Sequence, residues 1–140
     1  MFYILKKPIK KYLKKNNEVN IVAALNNNNG IKGKGISNEN TFEGNKIVLI
    51  TGGNGGAGLA FYLENDFNRT SSTIVLSPKN IKLNKNIGKF ISVILSENKK
   101  KYSYSYQWNK ERIYKEKIKL PIKENEEIDY DFIENIIENL

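Results

Sequence analysis

The sequence predicts an α+β domain: a small mixed sheet of short strands, one amphipathic helix packed on it, and a C-terminal helix. Three observations carry this. Short apolar segments rich in β-branched residues recur between polar turns, at 18–25, 31–36, 47–50, 59–63 and 73–76. Ile87, Phe90, Ile91, Ile94 and Leu95 follow the i, i+3, i+4, i+7, i+8 spacing of one helical stripe. A second stripe, Phe132, Ile133, Ile136, Ile137 and Leu140, closes the chain. Strands, then a helix, then more strand and a last helix is not the regular alternation of a doubly wound fold.

In chain order, residues 1–18 form a basic N-terminal lead. An apolar tip precedes Lys6, Lys7, Lys10, Lys11, Lys14 and Lys15, and Ile9, Tyr12 and Leu13 have the spacing of a short basic helix over 8–15. Residues 18–25 read as a strand. Asn26 to Gly30 is a turn, because Asn-Gly tolerates the left-handed conformations that hairpins need. Residues 31–36 are a glycine-interrupted strand that places Lys32 and Lys34 on one face. Thr41 to Asn45 is a second turn, leading into Ile47-Val48-Leu49-Ile50, which has the composition of a buried strand. Leu59 to Leu63 forms the next strand, and Asp66 to Ser72 a polar loop. Thr73 to Leu76 is a strand stopped by Ser77-Pro78. Asn84 or Asn86 can cap the amphipathic helix. Lys117 to Leu120 reads as a strand closed by Pro121, and the terminal stripe begins after Asp129-Tyr130-Asp131. With no chain left for that stripe to face, it is expected to pack on a partner helix.

Composition narrows the chemistry. The 140 residues suit one domain and contain no Cys and no His. Disulfides, thiol catalysis, Cys/His zinc sites and histidine acid–base chemistry are therefore excluded. No apolar run approaches the ~20 residues of a membrane span, and the five-residue apolar tip is too short for a signal-peptide core. A cytoplasmic protein needing no cofactor is the expectation. Charge is segregated: residues 123–140 carry seven acidic residues and one Lys, so the net +8 leaves +14 on residues 1–122. A body this basic attracts polyanions.

Between Ile50 and Leu59, five glycines fall in the seven positions 52–58. Gly53, Gly55 and Gly58 satisfy G-x-G-x-x-G after a strand, the context of a dinucleotide-binding turn. The stretch also resembles the T-G-x-x-x-G-x-G loop of short-chain dehydrogenases, and Tyr106 and Lys110 supply that family's Y-x-x-x-K pair. An NAD(P)-binding, dehydrogenase-like protein is thus the alternative reading. Three features weigh against it. The segment after Gly58 has the aromatics and turn formers of a strand rather than a phosphate-binding helix. No carboxylate follows Ile74-Val75-Leu76 to hold a ribose. Only about 50 residues separate the loop from Tyr106, too few for further crossover units of roughly 30 residues each.

A different set of residues resembles the target-recognition domain of Type I restriction-modification DNA specificity subunits, and the related domains of some Type II enzymes. Asn40-Thr41-Phe42-Glu43-Gly44-Asn45, the strand and glycine turn after it, Ala60-Phe61-Tyr62 and Leu83-Asn84-Lys85 carry the likeness. So do Lys101-Tyr102-Ser103-Tyr104, residues 117–122, and Asp129-Tyr130-Asp131-Phe132-Ile133-Glu134 opening the last helix. The likeness covers roughly residues 19–140. It departs from the family in its lysine-rich lead, where members begin with an extra strand, in the richness of its glycine turn, and in the loop 68–72.

What the resemblance implies is a non-catalytic reader of double-stranded DNA, a half or truncated specificity subunit. It would direct methyltransferase and endonuclease subunits and could self-pair through its C-terminal helix. Residues 19–122 would be the recognition domain, and 123–140 an acidic linker with the start of the partner-packing helix. The loops at 26–35, 52–58, 68–72 and 101–112 would face DNA. Asn28, Asn54, Arg69, Gln107 and Arg112 are the candidates for base edges, because their side chains make directed, often bidentate contacts. Lys32, Lys34, Ser72, Lys99, Lys100 and Lys101 are the candidates for phosphates. Tyr104 and Tyr106, beside the three lysines, add π-faces and phenol donors, although an ordinary aromatic sheet face gives the same pattern. Stacking of single-stranded nucleic acid on those tyrosines is a third possibility.

Overall fold

The computed structural model describes residues 2–5, 7–8, 17–25, 30–52, 58–97 and 120–139. Its strands are β1 (Phe2–Leu5), β2 (Glu18–Val22), β3 (Ile31–Ile36), β4 (Lys46–Ile50), β5 (Ala60–Leu63), β6 (Phe67–Arg69) and β7 (Thr73–Pro78). Its helices are α1 (Lys85–Glu97) and α2 (Tyr130–Glu138). The strands form one sheet of order β1-β7-β4-β5, antiparallel throughout, and a second of order β3-β2-β6 in which β2 and β6 run parallel. The expected α+β class holds, with two sheets in place of one.

The two sheets and the helices stack as three layers, with β4 in the middle. Side chains alternate across a strand. Ile47 and Leu49 point to the helical side and join Phe2, Ala60, Leu76, Ile87, Ile91 and Leu95 in one core. Val48 points the other way and joins Val22, Phe42, Leu63, Phe67 and Val75 in a second core under the smaller sheet. A strand covered on both faces must be apolar at consecutive positions, and all of Ile47 to Ile50 are fully buried.

Helix α1 forms where its stripe predicts. Asn84 Oδ1 accepts the Ile87 amide at 2.9 Å and caps the first turn, deciding between the two candidate caps. A glycine inside a helix costs about 1 kcal/mol relative to Ala. Gly88 occupies that position because the Tyr62 ring lies on it, where a Cβ would collide with the ring carbons. The Tyr62 hydroxyl donates to Asn45 Oδ1 at 2.7 Å, and Asn45 Nδ2 donates to Leu83 O at 2.9 Å. Asn45 itself is left-handed, with φ of 59°. This chain of contacts fixes the start of β4 to the entry of α1.

Three expectations change. Phe2–Leu5 is not part of a basic lead: it pairs along β7 from Phe2↔Pro78 to Leu5↔Val75. Ser77 and Pro78 therefore extend β7 rather than stop it. The terminal stripe does find a surface within the chain, since Ile133 is fully buried in the helical-side core, with Ile137 packed beside it. Asp129 caps α2 by accepting the Phe132 amide at 3.0 Å, while the Phe132 ring is half exposed. As the sequence predicts, Gly58 leads into a strand, β5, antiparallel to β4, where a dinucleotide-binding turn would start a helix. With every pairing in that sheet antiparallel, the dehydrogenase-like reading has no parallel crossover to stand on. The basic helix over 8–15 and the strand over 117–120 lie outside the described residues, except for Pro8 and Leu120.

Ile133→Ala should lower stability by about 2–5 kcal/mol through the cavity it leaves, and Phe132→Ala by less than about 1 kcal/mol; denaturant unfolding of the two variants makes the comparison. Burial, and secondarily Glu64, raise the pKa of Tyr62 above its usual 10.0. The folded state thus favours the protonated phenol. Its contribution is complete below the unfolded-chain pKa and is lost as pH rises through the folded one. The stability gap between the native chain and Tyr62→Phe should therefore narrow in unfolding curves taken above about pH 10.

Candidate nucleic-acid interface

Three turns begin and end at one edge of the layered body. At this edge β2 finishes and β3 starts, β4 finishes and β5 starts, and β6 finishes and β7 starts. The register makes this explicit, with Ile50 opposite Thr73 and Val22 beside Arg69. Backbone hydrogen bonds tie the turns together. Ala23 N donates to Gly30 O at 2.9 Å, closing the 23–30 turn on Gly30, whose φ of 71° few other residues adopt. Thr70 N donates to Val22 O at 3.0 Å, linking the 70–72 turn to β2. Thr51 N donates to Ser72 O at 2.9 Å, linking the same turn to the glycine loop. Gly58 N closes that loop on Ile50 O at 2.8 Å. The bases of the turns at 23–30, 51–58 and 70–72 are therefore neighbours, whereas residues 31–35 of the expected 26–35 loop belong to β3 and the 101–112 loop lies outside the described residues.

Individual candidates fare differently. Ser72 is half buried, and its hydroxyl lies against Gly52. Arg69 is exposed at the end of β6. Its Nη1 donates to Thr73 O at 3.0 Å and Thr70 O at 3.4 Å, and its guanidinium lies 6.0 Å from the centre of the Phe42 ring. Phe42 in turn stacks on Phe67, ring centres 5.6 Å apart. Thr73 Oγ1 also donates to Thr70 O, at 2.7 Å, so this tight turn is braced from within. Lys32 and Lys34 are exposed on β3. Lys34 sits partway down the strand, where its Nζ donates to Asn20 Oδ1 at 2.7 Å. Asn28, Asn54, Lys99, Lys100, Lys101, Tyr104, Tyr106, Gln107 and Arg112 lie outside the described residues, as does Lys110.

Two clefts contain residues that the sequence reading passed over. One, of about 350 Å³, runs along β6 beside the joined turns and is bordered by Pro8, Asn38, Asn40, Arg69, Thr70 and Ser71. The other lies between the sheets and α1, bordered by Asn20, Tyr62, Glu64, Lys85 and Lys89. There Lys85 and Glu64 form an ion pair at 3.7 Å, both side chains more than half exposed, which contributes little to stability. The available signal was the polar run Ser37 to Thr41, but 21 asparagines spread along the chain hide any single one. Among the described residues no cluster of acidic side chains could hold a metal ion, and no helix is long and apolar enough to cross a membrane.

Comparison with known proteins adds to this geometry. The model of the Type I restriction modification DNA specificity domain family matches residues 4–140. A relative, the specificity subunit S.BcgI of a Type II restriction enzyme from Heyndrickxia coagulans, is 33% identical over 113 residues. That match covers 81% of this chain and 33% of the relative, so the chain spans about a third of that protein's length. No solved structure matches. Thr73→Val, which removes the hydroxyl bracing the 70–72 turn, should cost about 1 kcal/mol. It should also speed exchange of the Thr51 amide, read by hydrogen exchange, because that amide donates to Ser72 O.

Proposed function

We propose, from the premise that this chain belongs to the Type I restriction modification DNA specificity domain family, that it reads a base sequence in double-stranded DNA. In this reading it is a recognition domain of a specificity subunit of a restriction-modification system. It holds partner methyltransferase and endonuclease subunits at the site it binds and does no chemistry itself. A cytoplasmic location follows from that role. The observation that carries the proposal is the hydrogen-bonded union of three turn bases at one edge of a strongly basic body. Loops anchored on a rigid scaffold and gathered on one side suit a groove reader. Phosphates supply affinity through the lysines, and directed side chains supply discrimination.

On this reading Asn28, Asn54, Gln107 and Arg112 contact base edges, while Lys32, Lys99, Lys100 and Lys101 contact phosphates, with Ser72 holding the turn beside them. Tyr104 and Tyr106 supply ring faces and hydroxyls at the same surface. The half-exposed outer face of α2, at Tyr130 and Phe132, is the surface for self-pairing or for a partner helix.

The test is selection from randomised duplexes followed by titration at several salt concentrations. A single enriched duplex motif is expected, and it should outcompete the matching single strand. Replacing Lys100 and Lys101 together by Ala should weaken binding to every duplex alike and reduce the salt slope by about 2. Arg112→Ala should instead change which duplex is preferred. Enrichment of no motif, or preference for the single strand, would remove the proposal.

A further inference from the structure

The cleft along β6 has a composition that the function above does not yet use. Its border includes one cation, Arg69, and among the described residues no carboxylate. Glu39 belongs to the neighbouring turn but does not border the cleft. The two walls are built differently from an ordinary solvent-facing groove. On one side the 38–41 turn is fixed internally: Asn38 N donates to Thr41 Oγ1 at 2.9 Å and Asn40 N to Asn38 Oδ1 at 2.8 Å. Thr41 Oγ1 then donates to Asn68 Oδ1 at 2.6 Å, and Asn68 Nδ2 to Ile36 O at 3.1 Å, tying the turn to β6 and β3. On the other side stands the braced turn that follows Arg69.

These bonds decide which donors are left for a ligand. With Oδ1 of Asn38 occupied, its Nδ2 remains. The side chains of Asn40 and Ser71 have no hydrogen-bond partner among the described residues. Arg69 spends Nη1 on two carbonyls, so its remaining Nη2 and Nε hydrogens are the ones available. With Nη1 taken, the end-on fork is unavailable, and the side-on pair of Nε and Nη2 is what remains, a spacing that suits two oxygens of one phosphate. The guanidinium also lies over the Phe42 ring, 6.0 Å from its centre. A fixed cation flanked by amide and hydroxyl donors, with no carboxylate among the described residues of the cleft, is complementary to a single anionic oxygen cluster.

We infer that this cleft seats one backbone phosphate of the bound duplex, held by Arg69 with Asn38, Asn40 and Ser71, and that Arg69 sets the register of the protein on DNA instead of reading a base. The inference rests on the DNA-reading function proposed above and replaces the base-edge role that the sequence suggested for Arg69. Neighbouring turns tied to the same strand would then be placed relative to the base pairs by that phosphate.

The experiment uses the full chain and the duplex motif enriched in selection, with a scrambled duplex beside it. Arg69→Ala should weaken both by the same factor, about tenfold, and reduce the salt slope by about 0.9. Asn40→Ala leaves the Arg69 bonds to Thr70 and Thr73 in place, so it separates phosphate seating from turn collapse; it should weaken both duplexes equally by a few fold. A scan in which each phosphate in turn is replaced by a neutral methylphosphonate should find one position whose neutralisation weakens the native chain but not Arg69→Ala. If Arg69→Ala changes the order of preference among duplexes, or if neither variant alters affinity, the seat is refuted while the DNA-reading function stands. If the unaltered chain binds no duplex, that function falls and this inference with it.

Discussion

The structure depends on β4 being covered on both faces and bonded on both edges. Ile47 and Leu49 hold the helices, Val48 holds the smaller sheet, and β5 and β7 take up its amides and carbonyls. Because its carboxyl end lies beside the starts of β5 and β7, whatever fixes β4 also fixes the turns at that edge. The Asn45–Tyr62–Leu83 contacts at the opposite end lock its register. Rigidity at one end of the strand thus becomes positional accuracy at the other, which is what the proposed DNA-reading role requires.

Much of this was legible because it is local. Four consecutive apolar residues, three of them β-branched, announce a strand buried on both sides, and a 3.6-residue stripe announces α1. What escaped was long-range. Nothing within Phe2-Tyr3-Ile4-Leu5 distinguishes an apolar tip from a strand, because its partner, β7, lies some seventy residues later. The same pairing explains why Pro78 does not end β7 early: it sits at the last position of the strand, opposite Phe2, where a missing amide is tolerated. The stripe of α2 was visible, but the surface it meets, Ile87, Ile91 and Leu95 of α1, belongs to a helix that the sequence assigned wholly to the sheet.

The candidate interface divides in a similar way. Residue types that suit DNA can be picked out by chemistry, and the turn positions by glycine and asparagine content. The commitments of a side chain cannot. Arg69 has the right chemistry for a guanine edge, yet its Nη1 is drawn into a turn whose conformation depends on Thr73, four residues on, and its ring stack depends on Phe42, far earlier in the chain. Asn38 and Asn40 do not stand out as binding residues, for the opposite reason. They are ordinary members of an asparagine-rich sequence until the 38–41 turn and β6 bring them to one cleft.

The proposed DNA-reading role requires the joined turns to be the face that meets a duplex. The most direct measurement is the amide hydrogen-exchange footprint of the full chain with and without its selected duplex. Slowed exchange is predicted around Ala23, Thr51 and Thr70 to Ser72, with no change along the outer face of α2. Protection confined to α1 and α2, with the turns exchanging as they do in the free chain, would contradict it.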